Sequence, residues 1–149
     1  MFDGKLERAS DSDELILIPG RLKHWWRIIE PDLQEVVDKG RGHSWLEDIY
    51  HEISNGQALL YIAMRGESYE GFVILKPLAS EEDKTLFVWC VSAPRIFDEG
   101  FEKVKEIGRQ MGARKICFSS PKEAFQRWAP RKGFEISTVI YQQVIEHHG

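Results

Sequence analysis

The side chains of this sequence that could do chemistry are few and widely spaced. Cys90 and Cys117 are its two cysteines. Two thiols cannot build a disulfide framework, and no His or Cys stands at zinc-ligand spacing from them. They are expected to be separately packed, buried thiols, and no metal site is expected. A second group is a basic block. Residues 101–133 hold Lys103, Lys105, Arg109, Arg114, Lys115, Lys122, Arg127, Arg131 and Lys132 against Glu102, Glu106 and Glu123, inside a chain of net charge -4. Such a block can attract an anion locally, or it can be the solvated faces of two helices. Third, Ser119 and Ser120 close a strand pattern, where open α/β sheets often bind ligands and where serines also cap the helix that follows. Asp98 opens a helical pattern and can cap it. His51 falls on the polar side of its helix, and Trp26 and Trp128 could line a pocket or simply belong to core stripes.

Composition limits what these groups can serve. A chain of 149 residues, 42% hydrophobic and 30% charged, is expected to be one globular domain. Its acidic balance argues against general nucleic-acid binding. No apolar run approaches the ~18 residues of a membrane span, and the first residues lack the build of a signal peptide, so a cytoplasmic protein is expected. The tail His147-His148-Gly149 is set aside as a possible expression remnant.

The elements that must position these residues follow from hydrophobic periodicity. After a polar lead-in over 1–12, Leu15-Ile16-Leu17-Ile18 reads as a strand closed by Pro19-Gly20. Leu22, Trp25, Trp26, Ile29, Leu33, Val36 and Val37 form one helical stripe that Pro31 should kink or divide, ending at Gly40. Ser44-Trp45-Leu46-Glu47 has the form of a capping box for a helix ending at Gly56, with Trp45, Leu46, Ile49, Tyr50 and Ile53 inward. Strands are expected over about 58–64, 71–78 and 85–92, joined as hairpins. Because they are apolar on both faces, helices should cover both. A helix from Asp98 to Gly112, a strand over 113–119, a helix capped by Ser120-Pro121-Lys122-Glu123 and ending at Gly133, and a strand over 134–146 complete the chain. The helix between two strands implies a crossover and a parallel pair. The expected architecture is a three-layer α/β sandwich whose mixed sheet is mostly antiparallel.

That order, strand, two helices, three strands, helix, strand, helix, strand, resembles the GNAT (N-acetyltransferase) superfamily over roughly residues 13–146. Three stretches carry the resemblance: the helix from Ser44 to Gly56 feeding a strand, the strand end Val91-Ser92-Ala93-Pro94-Arg95, and Ala124 through Gly133-Phe134. The size and the Phe125-to-Phe134 stretch are also similar to divergent GNAT-like proteins of tailed phages. The resemblance implies an N-acyltransferase using acetyl-CoA or another acyl-CoA on an unidentified amine. It implies that backbone groups of Val91 and Ser92 hold the pantetheine arm. Arg95 through Gly100 stand where the family wraps the pyrophosphate with (Gln or Arg)-x-x-Gly-x-(Gly or Ala). Arg95 and Gly100 match that pattern, and Asp98 replaces its first glycine, with Ser120 close by. Ala129 stands where many members carry a general-acid Tyr, which leaves direct aminolysis driven by proximity. The other reading the resemblance allows is a non-catalytic phage structural or host-interaction protein that has lost CoA binding.

Overall fold

Each of the two faces of the sheet is lined by its own set of apolar side chains, and that division organises the chain. The computed structural model describes residues 14–39, 45–79, 84–119, 124–135 and 143, with the side chains of 124–127 left aside. The described elements are β1 (Leu15–Pro19), α1 (Leu22–Lys39), α2 (Leu46–Ser54), β2 (Leu59–Arg65), β3 (Ser68–Ala79), β4 (Lys84–Val91), α3 (Pro94–Gln110), β5 (Lys115–Phe118) and α4 (Ala124–Arg131). Their sheet runs β1-β2-β3-β4-β5. Its first three pairings are antiparallel and β4 pairs with β5 in parallel, through the crossover helix α3. The α/β architecture with a mixed, mostly antiparallel sheet is therefore observed.

Residues 71–75 of β3 are all buried, as a strand covered on both faces must be. One face carries Ala63, Val73, Leu75, Leu86 and Val88 against Ile96, Phe97, Phe101 and Val104 of α3. The other carries Leu60, Ile62, Phe72, Ile74 and Cys90 against Ile29, Leu33 and Val37 of α1 and Ile49 of α2. The β2–β3 connection is tighter than the expected loop: Arg65 pairs with Ser68 across Gly66-Glu67, and Gly66 takes a φ of +61° that a two-residue turn requires. Glycines with positive φ also follow α2 at Gly56, α3 at Gly112 and α4 at Gly133, the stops expected of them.

Three local expectations are corrected. Pro31 does not divide α1, which is one helix. The ring lies on the exposed side, where the carbonyl it deprives of a partner can turn to water. Trp45 is not inward: it is the N-cap residue of α2, outside the helical stripe, and 64% exposed. Most consequential, α3 starts at Pro94 rather than Asp98, with Ala93 at the N-cap. Burial of Ile96 and Phe97 needs a helical face there, and Pro94 suits the first turn because it has no amide to leave unpaired. The 1–12 lead-in, Ser44, Gly40, the Ser120–Glu123 capping box and nearly all of the 134–146 strand lie outside the described residues.

Candidate active site at the end of β4

The end of β4 is where the sheet stops being continuous. β5 pairs with β4 from Thr85↔Lys115 to Val88↔Phe118, whereas β4 runs on through Val91 with Cys90 and Val91 paired to Ile74 and Val73 of β3. A bulge also interrupts the β3–β4 register: Ile74 faces Cys90 and Leu75 faces Val88, so Trp89 is the extra residue. Trp89 and Cys90, adjacent in sequence, consequently both pack on the α1–α2 face. Beyond them Ser92 is held to β3 twice, its N–H donating to the Phe72 carbonyl (3.1 Å) and its Oγ accepting from the Phe72 N–H (3.1 Å). Amide direction alternates along an extended strand. Since the Ser92 N–H points to β3, the N–H and C=O of Val91 point the other way, to the side of β4 on which the described β5 pairing has ended at Phe118.

The helix that follows is poorly equipped as an anion cradle. Pro94 has no N–H, and the amides of Ile96 and Phe97 both go to the Ala93 carbonyl (3.0 and 3.4 Å). Of the first turn's orphan donors this leaves the amides of Ala93 and Arg95. The Arg95 guanidinium is already paired, its Nη1 3.2 Å from Glu70 Oε1. Glu70 is the extra residue of a second bulge, between Ala63↔Gly71 and Met64↔Tyr69. There it also meets Arg65 (3.5 Å), whose Nη2 reaches Glu99 at 2.8 Å. Hydrogen bonding to Glu99 is the main reason the Arg65 guanidinium is pushed above its usual range.

Asp98 and Gly100, expected in a pyrophosphate loop, stand inside α3. Asp98 accepts the Trp128 Nε1–H at 2.6 Å, with Lys132 Nζ at 3.6 Å. It ties α4 to α3, and Trp128 packs on Phe97, Phe101, Phe118 and Phe134 with ring centroids 5.0–6.1 Å apart. Gly100 is buried on the underside of α3, where an added Cβ would meet Leu17 and Leu15 at 3.7–3.8 Å. Of the six residues expected to touch the ligand, Val91, Ser92 and Arg95 come together, Asp98 and Gly100 are placed one or more turns away along α3, and Ser120 lies outside the described residues.

Four members of the basic block meet carboxylates: Lys103 meets Glu14 (2.9 Å), Lys105 Glu102 (2.9 Å), Arg109 Glu106 (3.0 Å) and Lys132 Asp98 (3.6 Å). Glu70 was missed from sequence because only the bulge brings it to Arg95. The same holds for Glu52 of α2 and Lys76 of β3, which meet at 2.6 Å beside Trp89. Burial pushes the Cys90 thiol up to about 12 and raises the Cys117 thiol, so neither is poised as a thiolate nucleophile. Among the described residues no group of three or more metal-ligating side chains occurs, and no helix is long and apolar enough to cross a membrane.

No family model and no curated protein matches the chain. Solved structures do match its fold. A probable acetyltransferase is 16% identical with a TM-score of 0.65, over 89% of this chain and 99% of its own. An aminoglycoside acetyltransferase, meta-AAC0020 from an uncultured soil metagenomic sample, is 9% identical with a TM-score of 0.61, over 90% and 98%. An acetyltransferase from Trypanosoma brucei is 13% identical with a TM-score of 0.59, over 89% and 100%. With the strand order and the crossover through α3, these likenesses identify the architecture: the chain shares the α/β fold of these acetyltransferase structures.

Proposed function

We propose that the chain is a divergent N-acyltransferase that takes an acyl group from acyl-CoA to an amine. The observation that carries the reading is Val91: its N–H and C=O turn away from β3, on the side where the described β5 pairing has ended, and an extended arm with amide groups could continue the ladder there. A pantetheine arm has two such amides. The donor set fits this part of the cofactor and fits the diphosphate less well, because Glu70 holds Arg95 at the helix start and Arg65 beside it. Affinity is therefore expected to reside in the pantetheine, with Arg95 contributing once it leaves Glu70.

Acyl-CoA supplies a thioester that an amine can open by direct aminolysis. The chain's contribution is alignment, which by itself can lower a barrier by several kcal/mol. Ala129 cannot donate a proton, so the leaving thiolate takes its proton from the attacking amine or from water. The aminoglycoside acetyltransferase among the structural neighbours makes small-molecule amines the first acceptors to try. Release of free thiol from acetyl-CoA, followed over a panel of small amines, polyamines and lysine peptides, tests the reading. Amine-dependent release above the uncatalysed rate supports it, and none with any member of the panel counts against it.

The start of α3 favours a second reading. Pro94, which has no amide to offer, and the Glu70–Arg95 pair are what a fold kept without its cofactor would accumulate. The protein would then be a non-catalytic binding module, of the kind expected of a phage structural or host-interaction protein. Absence of acetyl-CoA binding by the folded protein distinguishes it.

A further inference from the structure

On the opposite face of β4 from α3 lies a cluster with no part in the acyl-arm site. Trp89, the bulge residue, is packed on the α1–α2 face. The ammonium of Lys76 sits 4.7 Å from the centre of its ring and 2.6 Å from Glu52 Oε1. That oxygen is shut off from solvent and lacks an aligned hydrogen-bond donor, so Lys76 meets it as a charge and not along a hydrogen-bond direction. Both side chains are mostly covered, 28% exposed for Lys76 and 22% for Glu52. An aromatic face and a shielded carboxylate converging on one point form an ammonium receptor, since the ring quadrupole and the anion attract the same cation.

We propose that Glu52 and Trp89 form a subsite for a primary alkylammonium ion, and that Lys76 occupies it in the ligand-free protein as an internal stand-in. Its present occupant defines the ligand class: an ammonium at the end of an unbranched aliphatic chain, as in a small alkylamine or a lysine side chain. The inference deepens the acyltransferase reading, and rests on it, by naming the acceptor. The bulge that distorts β4 beside Val91 is the same one that turns Trp89 toward Glu52. Trp89 stands two residues before Val91 on the strand proposed for the acyl arm.

The test uses n-butylammonium, read by the Trp89 indole N–H resonance, which Trp89→Phe assigns. A tethered ammonium competes at high effective concentration, so Lys76→Met should bind the probe about tenfold more tightly than the unaltered protein. Glu52→Gln in the Lys76→Met background should abolish binding. Lys76→Ala serves as a second variant, and thermal melts establish that each is folded. If Lys76→Met unfolds the chain, titration of the unaltered protein still decides, because saturating probe should displace Lys76 and shift Trp89. No shift at Trp89 in any folded variant, or equal affinity with and without Lys76, overturns the proposal. Tighter binding of a lysine peptide than of n-butylammonium would assign a protein acceptor, and the reverse a free amine. Acetyl-CoA binding is measured separately: ammonium binding without it would leave this subsite standing and remove the acyltransferase reading, and acetyl-CoA binding without ammonium binding would do the opposite.

Discussion

Replacement of Asp98 distinguishes a ligand-blocking carboxylate from a structural one. Sequence pattern places it where a diphosphate-binding glycine belongs, so Asp98→Gly would be expected to open an anion site. In the fold it lies within α3 and accepts the Trp128 indole N–H at 2.6 Å. Hydrogen bonds to charged groups contribute about 1.5–3 kcal/mol. The Asp98 side chain is 52% exposed, and solvent screening brings the expected value down to about 1 kcal/mol. The Lys132 contact at 3.6 Å adds a few tenths at most. Asp98→Ala should thus cost about 1 kcal/mol and lower Tm by about 3 °C for a chain of this length. Asp98→Gly should cost about 2 kcal/mol, since glycine in a helix interior adds about 1 more. Urea denaturation followed by tryptophan emission measures both, and loss of the Trp128 contact should alter the native emission as well. Unchanged stability in Asp98→Ala, or a tenfold or greater gain in acetyl-CoA affinity in Asp98→Gly, would refute the reasoning.

Other consequences are equally direct. A Cβ at Gly71 would stand 2.1 Å from Ser92 Oγ, so Gly71→Ala should cost about 2–3 kcal/mol. Combining it with Ser92→Ala should recover 1 kcal/mol or so of the summed cost, while strictly additive losses would contradict the clash. Glu70→Gln releases Arg95 and should tighten acetyl-CoA binding about two- to fivefold at low salt, with the gain shrinking as salt rises; no gain would show that Arg95 does not reach the ligand. Burial raises the Tyr61 phenol, and burial followed by the Asp32 carboxylate raises that of Tyr69. A folded-state value above the unfolded one stabilises fully below about pH 10 and is lost above it, so urea midpoints should fall beyond that pH. The fall should be shallower in Tyr69→Phe; an identical slope would contradict the assignment. Alkylation at about pH 8 should modify Cys117 well before Cys90, and peptide mapping reads the order.

How much of this was legible in the sequence depended on the range of the interaction. Strand runs, the stops at Gly56, Gly112 and Gly133 and the α3 crossover rest on local pattern, and they placed the fold class. The start of α3 was misread because Asp98 is a good capping residue, although Pro94 is an equally local sign of a first helical turn. Trp45 looked like part of a stripe whose helix begins one residue later. The two bulges have no local signature, so Glu70 at Arg95 and Trp89 beside Lys76 and Glu52 could not be read before strand register was known. Val91 and Ser92 were legible as the end of a strand, and which way their amides point was not.

The central claim is that the end of β4 holds the pantetheine of an acyl-CoA. Its most direct test is calorimetric titration of the folded protein with acetyl-CoA and, in parallel, with S-acetylpantetheine, which lacks the nucleotide diphosphate. One-to-one binding of both, with affinities within about tenfold of each other, is the expected result, because the Val91 N–H and C=O turn away from β3 past the last β5 pair while Glu70 holds Arg95. No heat from either ligand at millimolar concentration would contradict the claim and leave the fold as a scaffold for a protein partner.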